Sequence, residues 1–138
     1  MRIRYAHQCL QALSLKGIRD IVNLFAKNSF LPKERKKIEF TAFYLDDDAE
    51  RLLVEFKAPS MDYKWNSKVH GDGWVTLHRS WTGNCIYAFQ LAGSPAGGAR
   101  VIESWVNTDK EQYNVAEDYD HQTMLSNIIQ HTLLRESI

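Results

Sequence analysis

From residue 38 to residue 107 the apolar residues follow a strand period, in short runs rich in β-branched and aromatic side chains and broken by turn-forming residues. Strands that follow one another through short connections pair as hairpins, because a parallel crossover needs a longer excursion through a helix. The chain is therefore restricted to an antiparallel sheet. Five strands are expected, at residues 38–45, 52–57, 74–81, 85–91 and 100–106. The first stops at Asp46-Asp47-Asp48, read as a solvated turn rather than a cation site, because successive residues at a strand end diverge in direction. Residues 58–73 read as a long loop, with Tyr63-Lys64-Trp65 as a short strand inside it.

Helical periodicity is confined to the ends. Ile18, Ile21, Val22, Leu24 and Phe25 recur at helical spacing, and an earlier helical turn is expected over residues 5–13. Pro32 opens the solvated connector Lys33-Glu34-Arg35-Lys36-Lys37. A closing helix starts near Asp118 or Asp120 and carries Met124, Leu125, Ile128, Ile129 and Leu133 on one side, with acids at its positive end. The expectation is an α+β domain: an antiparallel sheet of about five strands packed by N-terminal and C-terminal helices. Residues 1–37 form a basic helical section, 38–107 the sheet and 118–136 the last helix.

A length of 138 residues suits one core, since a chain of this size buries roughly two thirds of its unfolded surface. A hydrophobic share of 44% with 25% charged residues sets aside disordered, collagen-like and coiled-coil readings. No apolar run approaches the roughly 20 residues that span a bilayer, and the first residues lack an apolar signal core, so a cytoplasmic protein without membrane contact is expected. Cys9 and Cys85 are too few for a disulfide framework and read as free thiols. The zero net charge is split: residues 1–37 carry nine bases against two acids, the rest eight against fifteen. Either the basic part binds an anionic partner such as nucleic acid, or the two parts attract each other; without interleaved aromatics the second is favoured.

The densest chemistry lies in Leu77-His78-Arg79-Ser80-Trp81-Thr82-Gly83-Asn84. A two-residue turn at Gly83-Asn84 would place Thr82 opposite Cys85, Trp81 opposite Ile86, Ser80 opposite Tyr87, Arg79 opposite Ala88 and His78 opposite Phe89. One face would then hold Trp74, Thr76, His78, Ser80 and Thr82 beside Tyr87, Phe89 and Leu91; the other would hold Val75, Leu77, Arg79 and Trp81 beside Ile86, Ala88 and Gln90. Arg79 interrupts an apolar face and needs a partner, for an unpaired buried charge costs about 3–5 kcal/mol. The alternatives are a salt bridge to Glu55 or Glu103, an anionic ligand, or a place on the rim. Trp81 is either half of a core pair with Ile86 or a stacking surface.

His78 and Ser80 do not form a catalytic pair, because residues two apart on a strand run parallel roughly 6.5–7 Å apart. His7, His70, His121 and His131 lack metal-ligand spacing, and Gly71-Asp72-Gly73 is too short to cradle a phosphate. Neither metal nor cofactor is expected.

The block running from Trp74 through Arg79-Ser80-Trp81-Thr82-Gly83 and Ile86-Tyr87 to Val106-Asn107-x-Asp109-x-x-Gln112-Tyr113 and an apolar helix resembles small uncharacterised microbial domains. The resemblance covers residues 70–135, implies an ADP-ribose or NAD-processing context, and groups Asn107 and Tyr113 with the hairpin residues. The expected function is recognition of a phosphate-bearing small molecule, a nucleotide or ADP-ribose, by His78, Arg79, Ser80, Trp81, Thr82, Trp74 and Tyr87. The alternative is a protein-interaction module, such as an antitoxin, immunity or phage accessory protein, docking through Tyr63, Trp65 or Trp74.

Overall fold

The computed structural model describes residues 29–135. The helices expected over residues 5–13 and 17–28, most of the basic section and Cys9 lie outside them. Six strands form one antiparallel sheet: β1 (Arg35–Lys37), β2 (Phe43–Tyr44), β3 (Trp65–His70), β4 (Trp74–Arg79), β5 (Cys85–Gly93) and β6 (Ala99–Asn107), in the order β1-β6-β5-β4-β3, with β2 also on β6. Among the described residues two short helices, α1 (Asp46–Leu52) and α2 (His121–Ile128), accompany the sheet, giving a mixed but mostly sheet structure.

Several expected elements differ. Of the first expected strand only Phe43–Tyr44 pairs, as β2; with β1 it lies along one edge of β6, Lys37 facing Trp105 and Phe43 facing Arg100, so that this side carries one residue more than β6 does. The basic residues 35–37 are exposed, as expected of the connector, but they are a strand. The acidic run begins α1 rather than a turn: three carboxylates in a first helical turn complement the helix dipole, and Ala49 and Leu52, three apart, are both buried. Asp46 Oδ1 also accepts from the Gly98 N–H at 2.6 Å. No strand forms over residues 52–57, where α1 ends; its place is taken by β3, inside the expected loop. Ser67 hid that strand, being polar at a buried position, where its backbone N–H donates to the Phe56 carbonyl and its hydroxyl accepts from the Phe56 N–H, both at 2.8 Å.

Gly73 turns β3 into β4 at a φ of +83°, and a Cβ there would stand 2.2 Å from the Leu91 carbonyl oxygen. Only glycine fits. From β4 to β5 the register is not that of a two-residue turn: Val75 faces Phe89 and Leu77 faces Tyr87, then a bulge sets His78 opposite Cys85. Residues 80–83 form a wider loop, closed by the Gly83 N–H on the Arg79 carbonyl at 2.8 Å, with Gly83 at φ +80°. The pairing moves by an odd number of residues, so the β5 side chains change face. Tyr87, Phe89 and Leu91 thus share the main core with Val75, Leu77 and Val106, a cluster that also contains Leu125, Ile128, Ile129 and Leu133 from α2 and the π-type turn after it. Asp120 caps α2 by accepting from the Thr123 N–H at 3.0 Å. The second face carries a smaller cluster of Leu31, Trp74 and Ala88, flanked by Phe30 and Trp105. Among the described residues no helix is long and apolar enough to cross a membrane.

Candidate functional site

The end of β4 and the loop after it wall a cleft of about 260 Å³, lined by Lys64, Arg79, Ser80, Trp81, Thr82 and Gln112. On a continuous strand Arg79 and Ser80 would point to opposite faces. Here the strand stops at Arg79, and the loop is pinned to the chain before β3: the Ser80 N–H donates to the Lys64 carbonyl and the Ser80 hydroxyl to the Tyr63 carbonyl, each at 2.9 Å. This brings both residues and Lys64 to one place. The Thr82 hydroxyl oxygen accepts from the Asn84 N–H at 3.2 Å, leaving its hydrogen for another acceptor.

Arg79 is half-buried and lies over two rings, its guanidinium carbon 4.6 Å from the centre of Trp65 and 5.4 Å from that of Tyr113. The guanidinium thus lies against two aromatic rings, and its N–H groups have no hydrogen-bond acceptor among the described residues. The salt bridge to Glu55 or Glu103 is not formed. Glu55 accepts from the Val69 N–H at 3.0 Å, and Glu103 from the Trp105 indole at 2.7 Å.

Gln112 presents donors for a reason that can be traced. Asn107 Oδ1 accepts from the Asp109 N–H at 2.7 Å, so its Nδ2 must donate, and does so to the Cys85 carbonyl and to Gln112 Oε1, both at 2.8 Å. With its oxygen so engaged, Gln112 keeps its NH2 for the cleft. Two cations, an amide NH2 and a free hydroxyl hydrogen line the space, with no carboxylate among the lining residues.

Arg79, Ser80, Trp81 and Thr82 are thus brought together, whereas Trp74, His78 and Tyr87 are elsewhere. Trp74 is buried in the second-face cluster. Tyr87 is buried in the main core, its hydroxyl 3.1 Å from that of Tyr113 and 2.9 Å from His121 Nδ1, and burial pushes its pKa well up. His78 stands on the second face, its Nε2 2.8 Å from the Thr76 hydroxyl and its Nδ1 3.0 Å from the Gly83 carbonyl; the same hydroxyl lies 2.8 Å from His70 Nε2. Burial holds both imidazoles below the usual histidine range; each is lowered further by Lys68, and His70 by His78.

The core pair of Trp81 with Ile86 is also absent: Ile86 is fully buried, whereas Trp81 is 73% exposed in the loop. Of the expected docking aromatics, Trp65 and Trp74 are buried. Cys85 is a half-buried free thiol that burial pushes up to about 12. Sequence reading missed Lys64 and Gln112. Gln112 stands in the block that groups Asn107 and Tyr113 with the hairpin; Lys64 gave no signal, since only its backbone carbonyl, which takes the Ser80 N–H, ties it to the loop.

No family model matches the chain, and no solved structure matches it. Over 105 residues it is 28% identical to the rat protein "Amine oxidase [copper-containing] 3", a match that covers 74% of this chain and 14% of that protein. Among the described residues no group of three or more His, Cys, Asp or Glu side chains could hold a metal ion. The chain thus spans a small part of the protein it matches, and the likeness assigns no residue a role.

Proposed function

We propose that this chain is a cytosolic binding domain for a phosphate-bearing small molecule, of nucleotide or ADP-ribose type, held in the cleft at the end of β4. The observation that carries the reading is Arg79: half-buried, lying against the rings of Trp65 and Tyr113, with no acceptor for its N–H groups among the described residues. A planar fork of donors supported by two rings is suited to two oxygens of one phosphate. Lys64 adds a second charge, Gln112 and Thr82 add neutral donors, and the exposed indole of Trp81 offers a surface for a base. The scarcity of cysteine supports the cytosolic placement.

Calorimetry of the whole chain against pyrophosphate, AMP and ADP-ribose tests this. Hydrogen bonds to charged groups contribute about 1.5–3 kcal/mol, so Arg79→Gln should weaken binding roughly ten- to hundredfold with the fold intact. No binding by the wild type, or equal affinity in the variant, overturns the proposal.

A second reading, a protein-interaction module, draws on a neighbouring groove that Trp81 and Ser80 share with Lys57, Ala58, Ser60, Met61 and Asn66, in which Met61 is as exposed as Trp81. A protein complex lost on Trp81→Ala, together with no affinity for phosphate compounds, would favour it.

A further inference from the structure

Thr76 is fully buried and its hydroxyl oxygen lies 2.8 Å from an imidazole nitrogen on each side. A hydroxyl has one hydrogen, and that fixes the direction of the chain. The Gly83 carbonyl can only accept, so His78 Nδ1 carries a proton and, in the neutral ring, Nε2 accepts from Thr76. Having donated there, the Thr76 oxygen must accept from His70, whose Nε2 therefore carries its proton. His70 Nδ1 makes no hydrogen bond among the described residues, and the half-buried ring is stacked on Phe30 at 4.0 Å between centres.

We propose that His70, Thr76 and His78 form a relay that carries one proton across the second face of the sheet to the Gly83 turn, and so places a positive charge behind the loop of the anion cleft. A proton from water adds to His70 Nδ1. The Nε2 proton of His70 passes to the Thr76 oxygen while the Thr76 hydroxyl proton passes to His78 Nε2. His70 is then neutral with its proton on Nδ1, Thr76 is again a hydroxyl, now pointing back at His70, and His78 is an imidazolium that donates to Thr76 and to the Gly83 carbonyl. Every hydrogen bond of the chain survives, reversed in direction between the two rings.

The relay holds one extra proton and not two. With both rings charged, both Nε2–H groups would point at the Thr76 oxygen, and its own hydrogen would lose its acceptor in a buried position. The other groups facing the pair are Lys68 on β3, which disfavours charge on both rings, Glu55, which favours it on His70, and Cys85 across from His78, a thiol kept neutral by burial. The imidazolium charge reaches the cleft through Gly83, which directly follows Thr82 of the lining.

Nitrogen-detected NMR titration of the histidines in the full chain, from pH 8 to 4.5, tests the relay. The wild type should show the two rings sharing a single proton, with the second uptake displaced by more than about one pH unit. Thr76→Ser should preserve this and Thr76→Val should let each ring titrate alone. Should Thr76→Val not fold, His70→Gln serves in its place, and His78 should then take up a whole proton by itself. Two independent curves in the wild type, or curves unchanged in Thr76→Val or His70→Gln, overturn the relay. The link to the cleft rests on the proposed anion site and is read with sulfate, which stays a dianion in this range. Its affinity should rise as the pH falls from 7.5 to 5.5 in the wild type and stay flat in His78→Gln. Sulfate binding with the same pH dependence in both proteins refutes the link. No sulfate binding at any pH counts against the cleft, and the relay then stands or falls on the titration.

Discussion

Trp81 and Trp65 are both near Arg79, yet their removal should differ sharply in its effect on stability. Trp81 is 73% exposed and Trp65 is 7% exposed. A tryptophan can bury about 250 Å², so roughly a quarter of that area, worth about 1.5 kcal/mol at about 25 cal/mol per Å², bounds what Trp81 gives the fold. Trp65 loses nearly all of its area to the core, where it touches Tyr87 at 5.9 Å between ring centres and supports Arg79. Trp65→Ala should cost about 3–5 kcal/mol, including the cavity it leaves. Urea unfolding followed by circular dichroism, which avoids the changed fluorescence, measures both. Trp81→Ala should stay within about 1.5 kcal/mol of the wild type yet lose affinity for a base-bearing phosphate by about 1–3 kcal/mol, the range for stacking on an aromatic ring. A loss of stability of about 3 kcal/mol or more in Trp81→Ala would mean that the indole is part of the scaffold, and the cleft would lose its stacking wall.

Two further outcomes follow from the backbone and the histidines. Gly73→Ala forces a Cβ onto the Leu91 carbonyl oxygen at 2.2 Å and a left-handed conformation on alanine, so it should lower the unfolding free energy, read from the urea midpoint, by more than the ~1 kcal/mol of the conformational change alone. A substitution that leaves the midpoint unchanged would refute the close approach of this turn to β5. His70, His78 and His121 are all held below the ordinary histidine value, chiefly by burial. The unfolded chain therefore binds protons first as the pH falls: the contribution of these rings is complete above about pH 6.5 and declines below it. Unfolding midpoints at pH 7.5 and 5.5 should show the loss, which His78→Gln should reduce.

The strands from Trp74 to Asn107 were legible because nearly every buried position there is apolar and each run ends at glycine or a polar residue. β3 was not, since Ser67 occupies a core position by exchanging hydrogen bonds with Phe56, a partner eleven residues away. α1 was misread because three aspartates serve a turn and a helix start equally well, and the deciding contacts, Ala49 and Leu52 in the core and Asp46 on Gly98, are tertiary. The cleft was half legible: Arg79, Ser80, Trp81 and Thr82 are neighbours in sequence, but the faces were assigned from a turn of the wrong length. The bulge after Leu77 and the wider loop shift the register by an odd count, which moved Tyr87 into the core and left His78 behind the sheet.

The outer border of the sheet has a consequence of its own. β1 offers Arg35, Lys36 and Lys37 in succession, all exposed, with Arg35 leaning over Trp105 at 5.0 Å and donating to the Pro32 carbonyl at 2.9 Å. Among the described residues no strand pairs with the outer side of β1; such an edge is a template for further pairing, and two molecules meeting there antiparallel would set three cations against three. Each chain thus carries its own deterrent to fibre-like growth, and polyanions that neutralise this border would be expected to weaken it.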